Sequence, residues 1–195
     1  MISKIYKFFR GDKRRHFLGA HSPTMICGVR HNGVFIENAR IGSSTVFTEK
    51  KKLILHENVF IGHFNFIESS NGIEIGEGCQ ITNFVSILTH SSHDSIRLYG
   101  KEYINQTDLK AYLKGPVKIG KYTFIGPHVT VMPNTKIGMG SIVSAYSMLQ
   151  GDYPDFSVIS GNPATVVGST KDRDSKWLKE FPELEIFYTA WQENN

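Results

Sequence analysis

With 195 residues the chain has room for one domain and little for two, and no apolar run reaches the roughly 18 residues that a membrane-spanning helix needs. Its two cysteines, Cys27 and Cys79, have neither metal-ligand nor disulfide spacing, so a reducing, cytoplasmic setting is expected. The net charge of +4 is unevenly placed: Lys4, Lys7, Arg10, Lys13, Arg14 and Arg15 face the single acid Asp12 in the first fifteen residues, which suggests an anionic ligand or surface.

Residues 1–20 mix these bases with Ile2, Ile5, Tyr6, Phe8 and Phe9, but lack the continuous apolar core and small-residue cleavage site of a signal peptide. They read as a short amphipathic helix. From Val29 a different period takes over. Val29, Phe35, Ile41, Phe47 and Leu53 are six residues apart; after a slip of two, Leu55, Ile61 and Ile67 follow, and after another, Ile75, Ile81 and Ile87. The Lys50-Lys51-Lys52 and Ser69-Ser70-Asn71-Gly72 segments absorb the slips as lengthened corners.

The register stops over residues 88–115. Loops longer than about 12–15 residues are uncommon and usually functional, and this one opens with His90, His93, Asp94 and Arg97. The ladder resumes over 117–149, where Ile119, Ile125, Val131, Ile137, Val143 and Leu149 keep strict six-residue steps and glycine follows three of them, at Gly120, Gly126 and Gly138. A helix would repeat at 3.6 and a half-buried strand at 2, so six-residue steps predict short strands separated by turns. The fold expected is an all-β solenoid, a parallel β-helix with an extruded loop.

Residues 152–167 close the stack, with Gly161-Asn162-Pro163 as a turn, and 172–193 look helical on both sides of Pro182. The predicted organisation is therefore a basic N-terminal cap over 1–28, the β-helix over 29–167 and a helical C-terminal cap over 168–195. Terminal repeats need such caps. For the basic N-terminus, peripheral contact with the inner face of an anionic membrane is the other reading.

The ladder, the extruded loop and the closing Ser160-Gly161-Asn162-Pro163-Ala164 together resemble the hexapeptide-repeat acyltransferases, whose coils are left-handed. Within that family the chain is most similar to the sugar O-acetyltransferases of the galactoside and maltose type and their relatives in surface-polysaccharide synthesis. In those relatives the catalytic histidine is followed seven residues later by an arginine and then a glycine, an order kept here by His90, Arg97 and Gly100. The resemblance makes His90 the base. Ser91 stands where a proline is usual, and His93 is a second candidate. Residues 63–71, HFNFIESSN, correspond to the segment that contacts the sugar, with Asn65 retained, His63 replacing an asparagine and Asn71 near the position of an acid. With the loop residues His93, Asp94 and Arg97, these form the expected acceptor set.

For the donor, the resemblance maps the pantetheine groove onto Phe124, Pro127 and Ala145. The usual threonine-lysine pair near the nucleotide phosphates is Gln150-Gly151 here, and Thr165 and Gly168 fill later basic positions, so Lys171 and Arg173 just downstream are the substitutes expected. The implied activity is transfer of acetyl from acetyl-CoA to a sugar or lipid-linked saccharide, in a homotrimer with active sites between subunits. A neutral imidazole suits removal of a hydroxyl proton near pH 7. N-acetylation of an amino sugar uses the same scaffold, and a non-catalytic binding scaffold is the reading from another class. A zinc hydratase of the carbonic anhydrase type shares the fold, but beyond His90 and His93 no set of three ligands is evident, and no metal is expected. Gly138-Met139-Gly140-Ser141 lacks the lysine of a phosphate loop, and no aromatic-basic platform suggests nucleic acid.

Overall fold

The structure, a computed structural model, describes residues 22–193. Short strands follow one another around three sheets. Phe60–Ile61, Phe66–Glu68 and Ile73–Ile75 make one coil, and Gln80–Ile81, Ser86–Leu88 and Val117–Ile119 the next. Phe124–Ile125, Thr130–Val131 and Thr135–Ile137 follow, then Ile142–Val143, Met148–Leu149 and Asp152–Tyr153. Corresponding strands of successive coils pair in parallel. The result is a parallel β-helix of triangular section. Its first corner joins the first and second sheets, its second corner the second and third, and its third corner leads back to the first.

The six-residue ladder is the core. Ile61, Ile67, Ile75, Ile81, Ile87, Ile119, Ile125, Val131, Ile137, Val143 and Leu149 are all buried in one continuous column. Each such side chain contributes about 2 kcal/mol of hydrophobic stabilisation. Partners in the early coils, Ile41, Ile61 and Ile81, are twenty residues apart, whereas Ile125 and Val143 are eighteen apart. The two extra residues lie at the second corner, where Lys50–Lys52 forms a 3₁₀ turn and residues 69–72 form a turn closed by the Gly72 N–H donating to the Ser69 carbonyl. Gly120 is required by close stacking: a Cβ there would collide with the backbone at Met139 in the next coil.

The coil stack starts later than the ladder suggests. Val29 and Phe35 lie on an antiparallel hairpin, Met25–His31 with Val34–Gly42, and Phe35 is 55% exposed. Asn32 and Gly33 at its tip both have positive φ, the conformation of a tight hairpin turn. The parallel coils therefore begin at Ile41, not at Val29. A second hairpin, Ser157–Gly161 with Ala164–Ser169, ends the first sheet at the other side of the stack. Antiparallel pairing at both ends occupies backbone groups that a bare parallel edge would leave open.

The extruded segment has structure of its own. Its neck is the antiparallel pair His90–Ser91 and Leu113–Lys114, and beyond it stand helix α1 (Ser95–Tyr99) and a 3₁₀ turn, Gly100–Asn105. At the C-terminus, helices α2 (Thr170–Glu180) and α3 (Glu185–Glu193) lie along the outer face of the first sheet and the third corner, where Trp191 meets Tyr122 and Phe156 with ring centroids 4.8 and 5.7 Å away. The amphipathic helix expected over residues 1–20 lies outside the described residues, and Met25–Gly28, within the N-terminal cap expected over 1–28, is strand.

Replacing Ile125 by Ala removes a fully buried side chain from the middle coils and is expected to lower stability by about 3 kcal/mol in urea denaturation. Ile54→Ala, on the exposed outer face of the third sheet, should change it by about 0.5 kcal/mol or less.

Candidate active site

The second corner brings a buried carboxylate and an imidazole together. Glu68 ends the strand Phe66–Glu68 and sits opposite Leu88 of the coil above. Two residues beyond Leu88 the chain leaves the stack, and His90 comes to rest over Glu68 with Nδ1 2.8 Å from Oε2. The carboxylate is 6% exposed. Thr89 donates to Oε2 from its hydroxyl at 2.7 Å and its backbone N–H at 3.1 Å, while the Ser70 N–H donates to Oε1 at 2.8 Å. Burial pushes the Glu68 carboxyl up, but hydrogen bonds from Ser70 and Thr89 outweigh it and bring the pKa from 4.5 down to about 2. The group is an anion at neutral pH, held beneath the imidazole.

That anion selects the histidine's tautomer. With Nδ1 against Glu68 and 3.2 Å from the Ser70 hydroxyl, the favoured neutral form carries its proton on Nδ1 and keeps a lone pair on Nε2. The His90 side chain is 38% exposed, and the Tyr112 ring stacks on it at 5.8 Å and 13°. The neck below is braced. Asn71 donates to the Thr89 carbonyl at 3.0 Å, as does the Gly115 N–H, and Asn134 donates to the Lys114 carbonyl at 2.9 Å. A side chain at Gly115 would collide with Asn134.

The other expected acceptor residues divide between this corner and elsewhere. Asn71 is here, but as a brace for Thr89. His93 stands beyond the neck with Nδ1 2.8 Å from the Ser91 hydroxyl and Nε2 3.4 Å from Asp94. Arg97 donates to Asp94 and to the His93 carbonyl. These three residues close the first turn of α1 on one another and on Ser91. His63 and Asn65 occupy the first corner. His63 bonds Ser44 at 3.1 Å, and Asn65 is 2% exposed, its carbonyl accepting from the Val85 N–H at 2.8 Å and its amide donating to Thr45.

The expected donor residues are spread over three edges of the prism. Phe124 points outward from the first sheet into a cleft of about 380 Å³ that it shares with Ile142, Trp177, Leu184 and Phe187. Pro127 and Ala145 turn the first corner between Phe124–Ile125 and Thr130–Val131, and between Ile142–Val143 and Met148–Leu149. Gln150 and Gly151 turn the second corner, where the Gly151 carbonyl accepts from the Lys136 N–H at 3.0 Å. Lys171 lies at the third, its ammonium 4.3 Å over the Phe156 ring, which separates it from the positions it was expected to replace. Among the described residues, no three of His, Cys, Asp and Glu cluster in a way that could hold a metal ion.

Sequence reasoning missed Glu68, Ser70, Thr89 and Tyr112. The acid was within reach, since Glu68 belongs to the same HFNFIESSN segment and lies about one twenty-residue coil before His90. Counting by coils rather than by six-residue steps brings the two together.

The family described as Bacterial transferase hexapeptide (six repeats) matches residues 116–151. WbbJ of Escherichia coli K12, whose name assigns it to lipopolysaccharide biosynthesis O-acetyl transfer, is 29% identical over 129 residues, covering 65% of this chain and 65% of WbbJ. Galactoside O-acetyltransferase of the same organism is 28% identical over 144 residues, covering 72% of this chain and 66% of the relative. The chain thus spans less than two thirds of the length of either. Among solved structures, AntD, an N-acyltransferase from Bacillus cereus in complex with dTDP and 3-hydroxybutyryl-CoA, superposes with a TM-score of 0.57 at 17% identity, over 74% of this chain and 87% of that one, a likeness of fold.

A carboxyl whose pKa falls on folding adds stability above its unfolded value and loses it as pH drops toward the folded one. From 4.5 to about 2, Glu68 contributes about 3 kcal/mol at neutral pH. The stability difference between the native chain and Glu68→Gln should therefore narrow by about 2 kcal/mol between pH 6 and pH 3 in urea titrations. A difference independent of pH would show that the carboxylate is not held as described.

Proposed function

We propose that this chain, which belongs to the hexapeptide-repeat transferases, moves an acetyl group from acetyl-CoA to a sugar hydroxyl, with His90 as general base and surface polysaccharide as the setting. The observation that carries the reading is the buried Glu68 carboxylate 2.8 Å from His90 Nδ1, which leaves Nε2 for an incoming hydroxyl. In the proposed step Nε2 takes the hydroxyl proton as the oxygen attacks the thioester carbonyl carbon. A tetrahedral intermediate forms, its C–S bond breaks, and the proton passes from the imidazolium to the departing thiolate. Glu68 stabilises the imidazolium between these events and holds the ring's orientation. Asp94 and Arg97, on the loop beyond His90, are proposed to meet the acceptor.

The left-handed sense of the coils and the donor assignment come from the same family. Pro127 and Ala145 turn the first corner whereas His90 stands at the second, so a donor lying along the former reaches the base of another copy more readily than its own. A homotrimer with sites between subunits, the assembly the family resemblance implies, is the arrangement proposed. Sedimentation equilibrium should return three times the chain mass, and a monomer at micromolar concentration would sink this part of the reading. Among the described residues no helix is long and apolar enough to cross a membrane.

The chemical step is tested by thiol release from acetyl-CoA with sugar acceptors. His90→Ala should lower kcat/KM by about 10²–10⁴ with CoA affinity unchanged. Glu68→Gln should lower it about ten-fold or more, through kcat rather than KM, because the imidazolium loses its counter-charge. Full activity in His90→Ala would remove the proposed base. An acetylated product that resists mild base would move the acceptor from a hydroxyl to an amine.

A further inference from the structure

Four rings on the first corner form one stack. Phe64, Phe84, His128 and Tyr146 all occupy the left-handed corner position, with φ between 59° and 61°, and the parallel register sets them one above another. Successive ring centroids are 5.1, 4.9 and 4.7 Å apart with interplanar angles of 11°, 1° and 6°. Phe84 and His128 are therefore each stacked between two other rings. At the lower end His63 leans on Phe64 at 52°.

The upper end is different. Above Tyr146 the chain crosses this corner only as the tip of the last hairpin, Gly161 to Ala164, which carries no aromatic ring. Tyr146 is 71% exposed with a ring on one side, against 49% for Phe84 with rings on both, so the far side of Tyr146 is the open end of the stack. The rung is also fixed in place: its N–H donates to the Pro127 carbonyl at 3.0 Å, and those of His128 and Phe84 donate to Asn83 and His63 one coil below. A flat ligand meeting it pays little ordering cost on the protein side.

We propose that Tyr146 is the seat for a nucleobase, which adds a fifth ring to the stack. Planar heterocycles stack on aromatic side chains through their π-faces, and the one open face belongs to the residue that follows Ala145. With adenine of acetyl-CoA as the base, the inference rests on the donor assigned above. The base of a nucleotide-linked sugar acceptor offers the same chemistry.

Isothermal titration of the full chain with CoA, pantetheine and dTDP separates these cases. Tyr146→Asn removes the ring while keeping a residue that adopts positive φ readily, and Tyr146→Phe retains the ring. If adenine is bound, Tyr146→Asn should weaken CoA about ten-fold, leave pantetheine unchanged, and Tyr146→Phe should match the native chain. The same loss confined to dTDP assigns the seat to the acceptor's base and supports the proposal even where CoA does not bind, an outcome that defeats the donor reading alone. CoA bound equally by the native chain and Tyr146→Asn, with dTDP equally unaffected, overturns the seat and leaves the donor reading standing. Pantetheine weakened as much as CoA also overturns it, since that loss would belong to the corner and not to a base. Failure of the native chain to bind either nucleotide overturns both.

Discussion

Parallel register from coil to coil is the constraint on which everything else in this molecule depends. Once Ile61 pairs with Ile81 and Phe66 with Ser86, every side chain at a given position stands directly over its counterpart about 4.8 Å away. Inward positions become a column of branched aliphatic residues. Outward positions become vertical rows, and a row can hold like rings, as at Phe84 and His128, or paired charges, as at Glu74 and Lys118 with 3.0 Å between them. Glu68 and His90 meet for the same reason. The chain needs no long-range loop to bring acid and base together, because the stack has already superposed the two corners.

Placing a carboxylate under that histidine opposes desolvation with hydrogen bonds. Glu68 is almost wholly shielded, and burial alone would favour its neutral form. Thr89 and Ser70 supply hydroxyl and backbone donors within the same two corners, and they reverse the balance. Thr89 is itself fixed by Asn71 and by the Gly115 N–H. The orientation of the imidazole is thus set by groups that belong to three passes of the chain across one edge.

The column of inward residues could be read from the sequence because burial leaves a period. From Ile119 to Leu149 each sixth residue is apolar, and each is buried. The slips at Lys50–Lys52 and at residues 69–72 were legible too, since extra residues at an outer corner leave the inward pattern intact. The first ladder positions misled for a physical reason: Val29 and Phe35 continue the spacing by coincidence, whereas Asn32 and Gly33 between them reverse the chain. His90 stood out through its place at the head of a long interruption. Glu68 did not, because outward residues have no period of their own, and its relation to His90 appears only when residues are counted by whole coils. Lys171 shows the converse limit. Short separation along the chain from the last coil carried it around to another edge of the prism.

The neck of the extruded segment has a consequence for how such a protein can change. The strand pair His90–Ser91 and Leu113–Lys114 joins the segment to the stack, and the coils on either side close against each other as if nothing had been inserted, Val117 pairing with Ile73. Residues 92–111, which stop short of the Tyr112 ring stacked on His90, can be lengthened, shortened or exchanged while the imidazole and its carboxylate keep their places. Selection can then act on the extruded segment and on the His90–Glu68 pair as separate traits, so that one can vary without disturbing the other.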